Sequence, residues 1–275
     1  MRVALHVLLL ALCACGAADA QQTWALPDGR AYVETTGSGP ERRDDTPPWP
    51  VEARLSGPTD RYGHDVLGGI PRWSVLEVRA LTCGACRHGS EGAKIALPED
   101  MVFEDVAPRL WDVDGDGRPE IVTVESHIRR GARLAIWAYP ITPSNGGDLT
   151  RIAATPFIGQ ANRWLAPAGI GDFDGDGRVE IAYVDRPHLA RELVFVRLEG
   201  AALRQIARAP GFSNHRIGDT AITSATRTCN GRDSLVLPSA AWDQVIEVTL
   251  SGQTVTTTPR GPLRAPADVT AALAC

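Results

Sequence analysis

The chain has 275 residues, a net charge of −5 and 44% hydrophobic but only 6% aromatic residues. The small negative charge is not clustered, so no basic surface calls for nucleic acid or an anionic membrane. With 27 glycines, 20 prolines and no long segment at helical period, the composition excludes a mainly helical protein and favours short strands between turns. The length suits a single barrel or propeller.

Residues 1–20 carry one positive charge at Arg2, an apolar run from Val3 to Ala14, and small residues ending at Ala18-Asp19-Ala20. This reads as a secretory signal cleaved before Gln21. The run is too short to span a bilayer, and no later stretch approaches the roughly 20 apolar residues of a membrane helix. Residues 21–275 are therefore expected as one exported domain, periplasmic or secreted, and monomeric. Leu12-Cys13-Ala14-Cys15-Gly16 also resembles a lipoprotein cleavage box, which would anchor the chain through Cys15.

Beyond the signal, Asp28-Gly29-Arg30 opens a strand-like segment, and Val75 to Leu81 is another. Cys83-Gly-Ala-Cys86 follows that second segment and precedes a glycine-rich loop. A redox pair of this spacing needs a helix N-terminus to lower its thiol pKa, so a structural disulfide is the expectation. Four cysteines remain after residue 20: Cys83, Cys86, Cys229 and Cys275. Of the three possible pairings, Cys83–Cys86 with Cys229–Cys275 is the simplest.

The most informative feature comes next. Asp112-Val-Asp114-Gly-Asp116-Gly-Arg118-Pro-Glu120 and Asp172-Phe-Asp174-Gly-Asp176-Gly-Arg178-Val-Glu180 are near-identical and lie 60 residues apart. Alternating carboxylates in a glycine-containing loop can converge on one point, where they would repel without a cation. Calcium takes six to eight oxygen ligands in flexible geometry and is the expected occupant. One ion is assigned Asp112, Asp114, Asp116, Glu120 and the carbonyl of Arg118. The other is assigned Asp172, Asp174, Asp176, Glu180 and the carbonyl of Arg178. An EF-hand would need glutamate at position twelve and flanking helices, but Thr123 and Tyr183 stand there and strand-like segments follow.

The string Gly171-Asp-Phe-Asp-Gly-Asp-Gly-Arg-Val-Glu-Ile resembles the FG-GAP or VCBS-type repeat of bacterial secreted proteins, which is similar to the calcium-bearing blades of integrin α-subunit propellers. That resemblance implies a loop joining the first two strands of a four-stranded blade, with two structural calcium ions. The family often has Asp where Glu120 and Glu180 stand. Weaker copies align at Thr226 to Arg232, where Thr226 and Thr228 replace ligands and no metal is expected, and at Val66 to Leu76. The segment Asp268 to Leu273 aligns as a first strand and Asp28 to Glu34 as a second. An all-β protein is expected: a single β-propeller of five four-stranded blades, closed by pairing of N- and C-terminal strands.

If the acidic loops occupy one rim, the opposite rim collects Arg61, Tyr62, His64, His127, Arg163, Trp164, His188, His215, Arg216 and Trp242. This is the candidate binding face for a protein, glycan or small molecule. No Gly-x-Ser-x-Gly elbow, His-Glu-x-x-His motif or Gly-rich phosphate loop occurs, so a non-catalytic binding module is the reading. The alternative is a propeller hydrolase or lyase using this His/Arg/Trp face, with His64 or His215 as base.

Overall fold

The computed structural model describes residues 22–25, 30–34, 49–81, 90–139 and 149–275. The expected signal segment, Cys15 and the expected Cys83–Cys86 pair lie outside the described residues. Strand accounts for 54% and helix for 3%, which makes the protein all-β, and every strand pairing is antiparallel.

The N-terminal group comprises β1 (Gln22–Ala25), β2 (Arg30–Glu34), β3 (Trp49–Thr59), β4 (Arg72–Leu81) and β5 (Ser90–Ala96). The next group is β6 (Met101–Phe103), β7 (Arg109–Trp111), β8 (Glu120–His127), β9 (Gly131–Ala138) and β10 (Thr150–Ala154). One pair, Trp73↔Phe103, joins the two groups into a ten-stranded sheet. Both β6 and β7 pair with β8, so together they act as one interrupted first strand. The interruption is built by Asp105, whose carboxylate receives the Arg109 guanidinium at 2.7 and 3.0 Å and the Val124 N–H at 3.0 Å.

Two regular four-stranded meanders follow. The first is β11 (Leu165–Gly171), β12 (Glu180–Asp185), β13 (Glu192–Glu199) and β14 (Ala202–Pro210). The second is β15 (Ala225–Cys229), β16 (Arg232–Pro238), β17 (Gln244–Ser251) and β18 (Thr254–Pro262).

Successive side chains of a strand point to opposite faces, and here both faces are buried. On β12, Ile181 and Tyr183 pack toward the β8–β9 layer, with Val122, Val124, Leu134 and Ile136. Ala182 and Val184 pack the other way, with Phe195, Leu235, Leu237 and Val248. A third core joins the N-terminal strands to the next layer through Leu55, Leu76, Val78, Phe103, Leu110 and Ile121. This two-sided burial explains the apolar runs of β8, β12 and β13, which alternation with solvent would have forbidden.

The C-terminal expectation fails. Pro266–Ala271 is a short helix, α1, rather than a closing strand. Pro266 has the fixed φ suited to a first helical turn, and Asp268 accepts hydrogen bonds from the backbone N–H groups of Arg264 and Ala265 at 2.7 and 2.9 Å. From α1, Val269 packs on Val236 and Val245, covering the outer face of the last sheet. Meanwhile β1 and β2 pair with each other, and β2 with β3. The expected pairing of N- and C-terminal strands therefore does not occur among the described residues, and no sheet closes into a barrel or propeller.

Candidate functional site

Each acidic segment spans a first-to-second strand connection, β7 to β8 and β11 to β12. The Asp-apolar-Asp alternation does two jobs. It turns the carboxylates out while Val113 and Phe173 point inward, 3% and 1% exposed. Phe173 meets Phe195 edge-on, with ring centroids 5.3 Å apart, so the loop is pinned to the core by its second residue. Gly115 and Gly117 have φ of 77° and 85°, and Gly175 and Gly177 have 76° and 83°, a region that β-carbons disfavour.

This curl aims backbone N–H groups at the carboxylates. Asp112 accepts from Gly115 at 2.8 Å, Asp116 at 3.1 Å and Gly117 at 2.9 Å. Asp172 accepts from Gly175, Asp176 and Gly177 at 2.8, 3.0 and 2.9 Å. Across each loop mouth, Glu120 and Glu180 accept from Val113 and Phe173, both at 3.0 Å. As a result, ligand atoms of Asp112, Asp114 and Glu120, and of Asp172, Asp174 and Glu180, lie within 4.8 Å of one another. That span matches two oxygens on opposite sides of an ion with 2.3–2.6 Å bonds. The donors are hard oxygens, so these residues fit calcium chemically.

The third aspartates are placed differently. Asp116 turns onto Arg118, whose Nε and Nη2 lie 3.0 and 2.6 Å away. Asp176 pairs with Arg197 at 3.0 Å. Among the described residues no cationic side chain pairs with Asp112, Asp114 or Glu120. Burial, reinforced by the charges of Asp114, Asp112 and Asp116, pushes the Glu120 carboxyl up to about 7. Asp112 is raised by burial as well, with Asp114 and Asp116 adding to it.

In the last sheet the loop is reduced to a hairpin turn. Cys229 pairs with Arg232, and Asn230 and Gly231 take φ of 54° and 71°, the signature of a two-residue turn. Cys229 is bonded to Cys275, as the simplest pairing expected.

At the other end of the strands, about 20 Å away by strand rise, part of the proposed binding face comes together. His64 and Glu104 share a hydrogen bond of 2.6 Å, and His188 and His215 one of 3.0 Å. Trp164 lies against both His188 and His215, at 6.2 and 4.9 Å between ring centroids, and its indole N–H donates to the Glu104 carbonyl at 2.8 Å. Tyr62 accepts from the Asn162 N–H at 2.8 Å. Burial, followed by the His215 and His64 charges, depresses His188 to about 4. His215 is also lowered, chiefly by burial.

These rings are mostly interior. Trp164, His215 and Tyr62 are 2%, 1% and 3% exposed, so they pack the connection between β3 and β4, with Val66 and Leu67, into the layered core. His127 does not join them. It sits 3.3 Å from Asp100 and edge-on to Phe157. Arg61 reaches the Leu97 carbonyl at 3.4 Å, and Arg163 the Asn162 carbonyl at 2.8 Å. Arg216 stacks 4.1 Å over the Trp242 ring.

Two residues at the heart of these sites were not anticipated. Glu104, fully buried, is held by His64 and by the Ser126 hydroxyl at 2.5 Å. Its only sequence signal is an acidic pair, Glu104-Asp105, interrupting an apolar stretch. Arg197 carries no sequence signal, because its partners are 17 to 23 residues away.

Residues 112–183 match the FG-GAP-like repeat family. The match begins at the first aspartate of one loop and ends beyond the last carboxylate of the other. A search of curated proteins finds no match for the chain.

Proposed function

We propose that this chain is an exported, non-catalytic binding scaffold whose acidic loops hold calcium as a structural ion. The observation that carries the reading is the preorganised cluster of Asp112, Asp114 and Glu120, three carboxylates held together by backbone N–H groups without a cationic side chain among them. When bound, calcium would neutralise these oxygens and tie the β7–β8 connection to β8. The chain's own part is to fix the loop through Val113 and the two glycines.

The finer architecture we propose is an arc of four blade-like layers, with the β3–β4 connection filling its centre and α1 capping its end. Support comes from face-to-face burial on both sides of consecutive antiparallel layers, and from the Gly218 N–H donating to the Val66 carbonyl at 3.1 Å, which joins the first layer to the last connection. A two-faced terminal layer needs such a cap, as in other stacked-repeat proteins. Export is supported by the Cys229–Cys275 bond, since disulfides persist in oxidising compartments. No described helix is long and apolar enough to cross a membrane.

The binding half of the reading rests on the rim opposite the acidic loops. Leu189 and Ile217, 62% and 68% exposed, flank the paired His188 and His215, and the Arg216–Trp242 stack lies in the same loop cluster. Exposed apolar side chains grouped beside aromatic and arginine residues mark interaction surfaces.

Thermal unfolding in calcium against EGTA tests the first half. With a Kd of about 0.1–1 mM and about 1 mM calcium, linkage gives roughly 0.4–1.4 kcal/mol per ion, a rise of about 1–5 °C. A curve indifferent to EGTA would refute it. The second half predicts that immobilised protein captures a partner from extracellular extract and that L189S/I217S loses it, while equal capture by both would refute that assignment.

A further inference from the structure

We infer that Arg197 is the resident cation of the second acidic loop, so that its guanidinium occupies the carboxylates a metal would need there and only the first loop takes a metal ion. The inference rests on the calcium reading of the first loop and narrows it.

The two loops form an internal comparison. Their Asp–backbone hydrogen bonds agree closely, at 2.8, 3.1 and 2.9 Å around Asp112 and 2.8, 3.0 and 2.9 Å around Asp172. What differs is the facing position on the third strand of each layer. Ile181 pairs with Val196 and Ile121 with Trp137. One residue further along, Glu180 faces Arg197 and Glu120 faces Ala138. A methyl group in one layer is a guanidinium in the other.

That guanidinium engages three of the loop's carboxylates. Its Nε donates to Glu180 Oε1 at 2.7 Å, and Nη2 reaches the same oxygen. Nη2 also donates to Asp174 at 3.2 Å, and Nη1 to Asp176 at 3.0 Å. The Arg197 side chain is only 8% exposed, so this is an interior pairing rather than a solvated one. Burial opposes its charge, but the Glu180 hydrogen bond and the charges of Glu180, Asp176 and Asp174 outweigh that and raise its pKa. A planar, permanently charged fork with five donors suits this task.

A calcium ion would need the same Asp174 and Glu180 carboxylates and would sit beside a fixed positive charge. The loop arginines report the difference. Arg118 folds back onto Asp116, whereas Arg178, its counterpart, points to Glu199 at 3.5 Å because Asp176 is already engaged.

The test is calcium stoichiometry by isothermal titration and native mass spectrometry on the exported, disulfide-bonded chain. The wild type should bind one calcium, lost in D112N/D114N and kept in D172N/D174N. R197M should gain a second ion, and A138R should lose the first, which guards against R197M failing to fold. Two ions in the wild type, one of them lost in D172N/D174N, would overturn the role of Arg197 while leaving the first-loop reading intact. No ion in the wild type but one in R197M would remove the first-loop reading and uphold Arg197. R197M that folds and binds no more calcium than the wild type overturns the inference.

Discussion

Arg197 faces Glu180 at the register position where Ala138 faces Glu120, one residue beyond Val196↔Ile181 and Trp137↔Ile121. Two loops with the same carboxylates are therefore set in different electrostatic surroundings: burial raises both glutamate carboxyls, but Arg197 opposes the rise at Glu180 alone. Glu120 is a buried acid among like charges, while Glu180 is a buried acid with an arginine on it.

The glutamates should respond oppositely to neutralisation. Glu120→Gln keeps an acceptor for the Val113 N–H and removes one repelling charge. In EGTA at pH 8 its melting temperature should rise by a few degrees, about 1–2 kcal/mol, and in calcium it should fall. Glu180→Gln removes the carboxylate that takes two of the Arg197 nitrogens, leaves Asp174 and Asp176 on that guanidinium, and should lose about 1.5–3 kcal/mol with or without calcium. Unfolding scans in both buffers decide this, and parallel behaviour of the two variants would contradict it.

His188 should make the protein acid-sensitive. Its pKa lies near 4 in the fold, lowered mainly by burial, then by His215, His64 and Arg191, with Asp219 opposing, against about 6.5 when unfolded. Between those values the unfolded chain binds the extra proton, so stability falls as pH drops from about 6.5 and the loss is complete below about 4. After solvent screening the effect is about 2 kcal/mol. His188→Asn should flatten the dependence of melting temperature on pH between 7 and 4.5, and an unaltered profile would argue against the assignment.

The Cys229–Cys275 bond closes a loop of 46 residues and should contribute up to about 4 kcal/mol in the chain-entropy estimate. It ties the end of β15 to the segment after α1. Cys229→Ser/Cys275→Ser should lower the melting temperature by roughly 8–16 °C. Limited proteolysis should then cut first near residues 263–275, and cleavage starting elsewhere would count against this anchoring role.

Val269, 3% exposed, seats α1 on Val236 and Val245. Val269→Asp should cost about 2–4 kcal/mol by burying a charge without a partner. It should also expose the apolar outer face of the last layer, so light scattering should detect concentration-dependent self-association. A destabilised but strictly monomeric variant would show that α1 is not what keeps that face covered.

Much of this was legible in the residues. Glycine-punctuated apolar runs specify short strands, the two nine-residue acidic segments specify loops between the first and second strands, and the cysteine count pointed to Cys229–Cys275. The acidic loops are readable because their hydrogen bonds are local, closing within five residues of Asp112 or Asp172. The expectation of a first strand over Asp268 to Leu273 rests on a weak alignment, and so short a match does not separate a strand from one turn of helix. Pro266 and the carboxylate of Asp268, turned onto two backbone N–H groups, decided for the helix. Of the histidines grouped by their place on a rim, His64, His188 and His215 are joined to the Trp164 and Glu104 cluster, while His127 pairs with Asp100 instead.

The sequence by itself determined the class of the fold, the form of both acidic loops and the chemistry their carboxylates favour, because each follows from neighbours along the chain. Only the tertiary structure decided which loop has a third-strand arginine on its carboxylates, which aromatic and imidazole rings are interior, and how the last layer is covered. Those outcomes depend on residues brought together by strand register and layer packing, as Arg197 is with Asp174 and Glu180, and such pairings leave no mark in the local sequence.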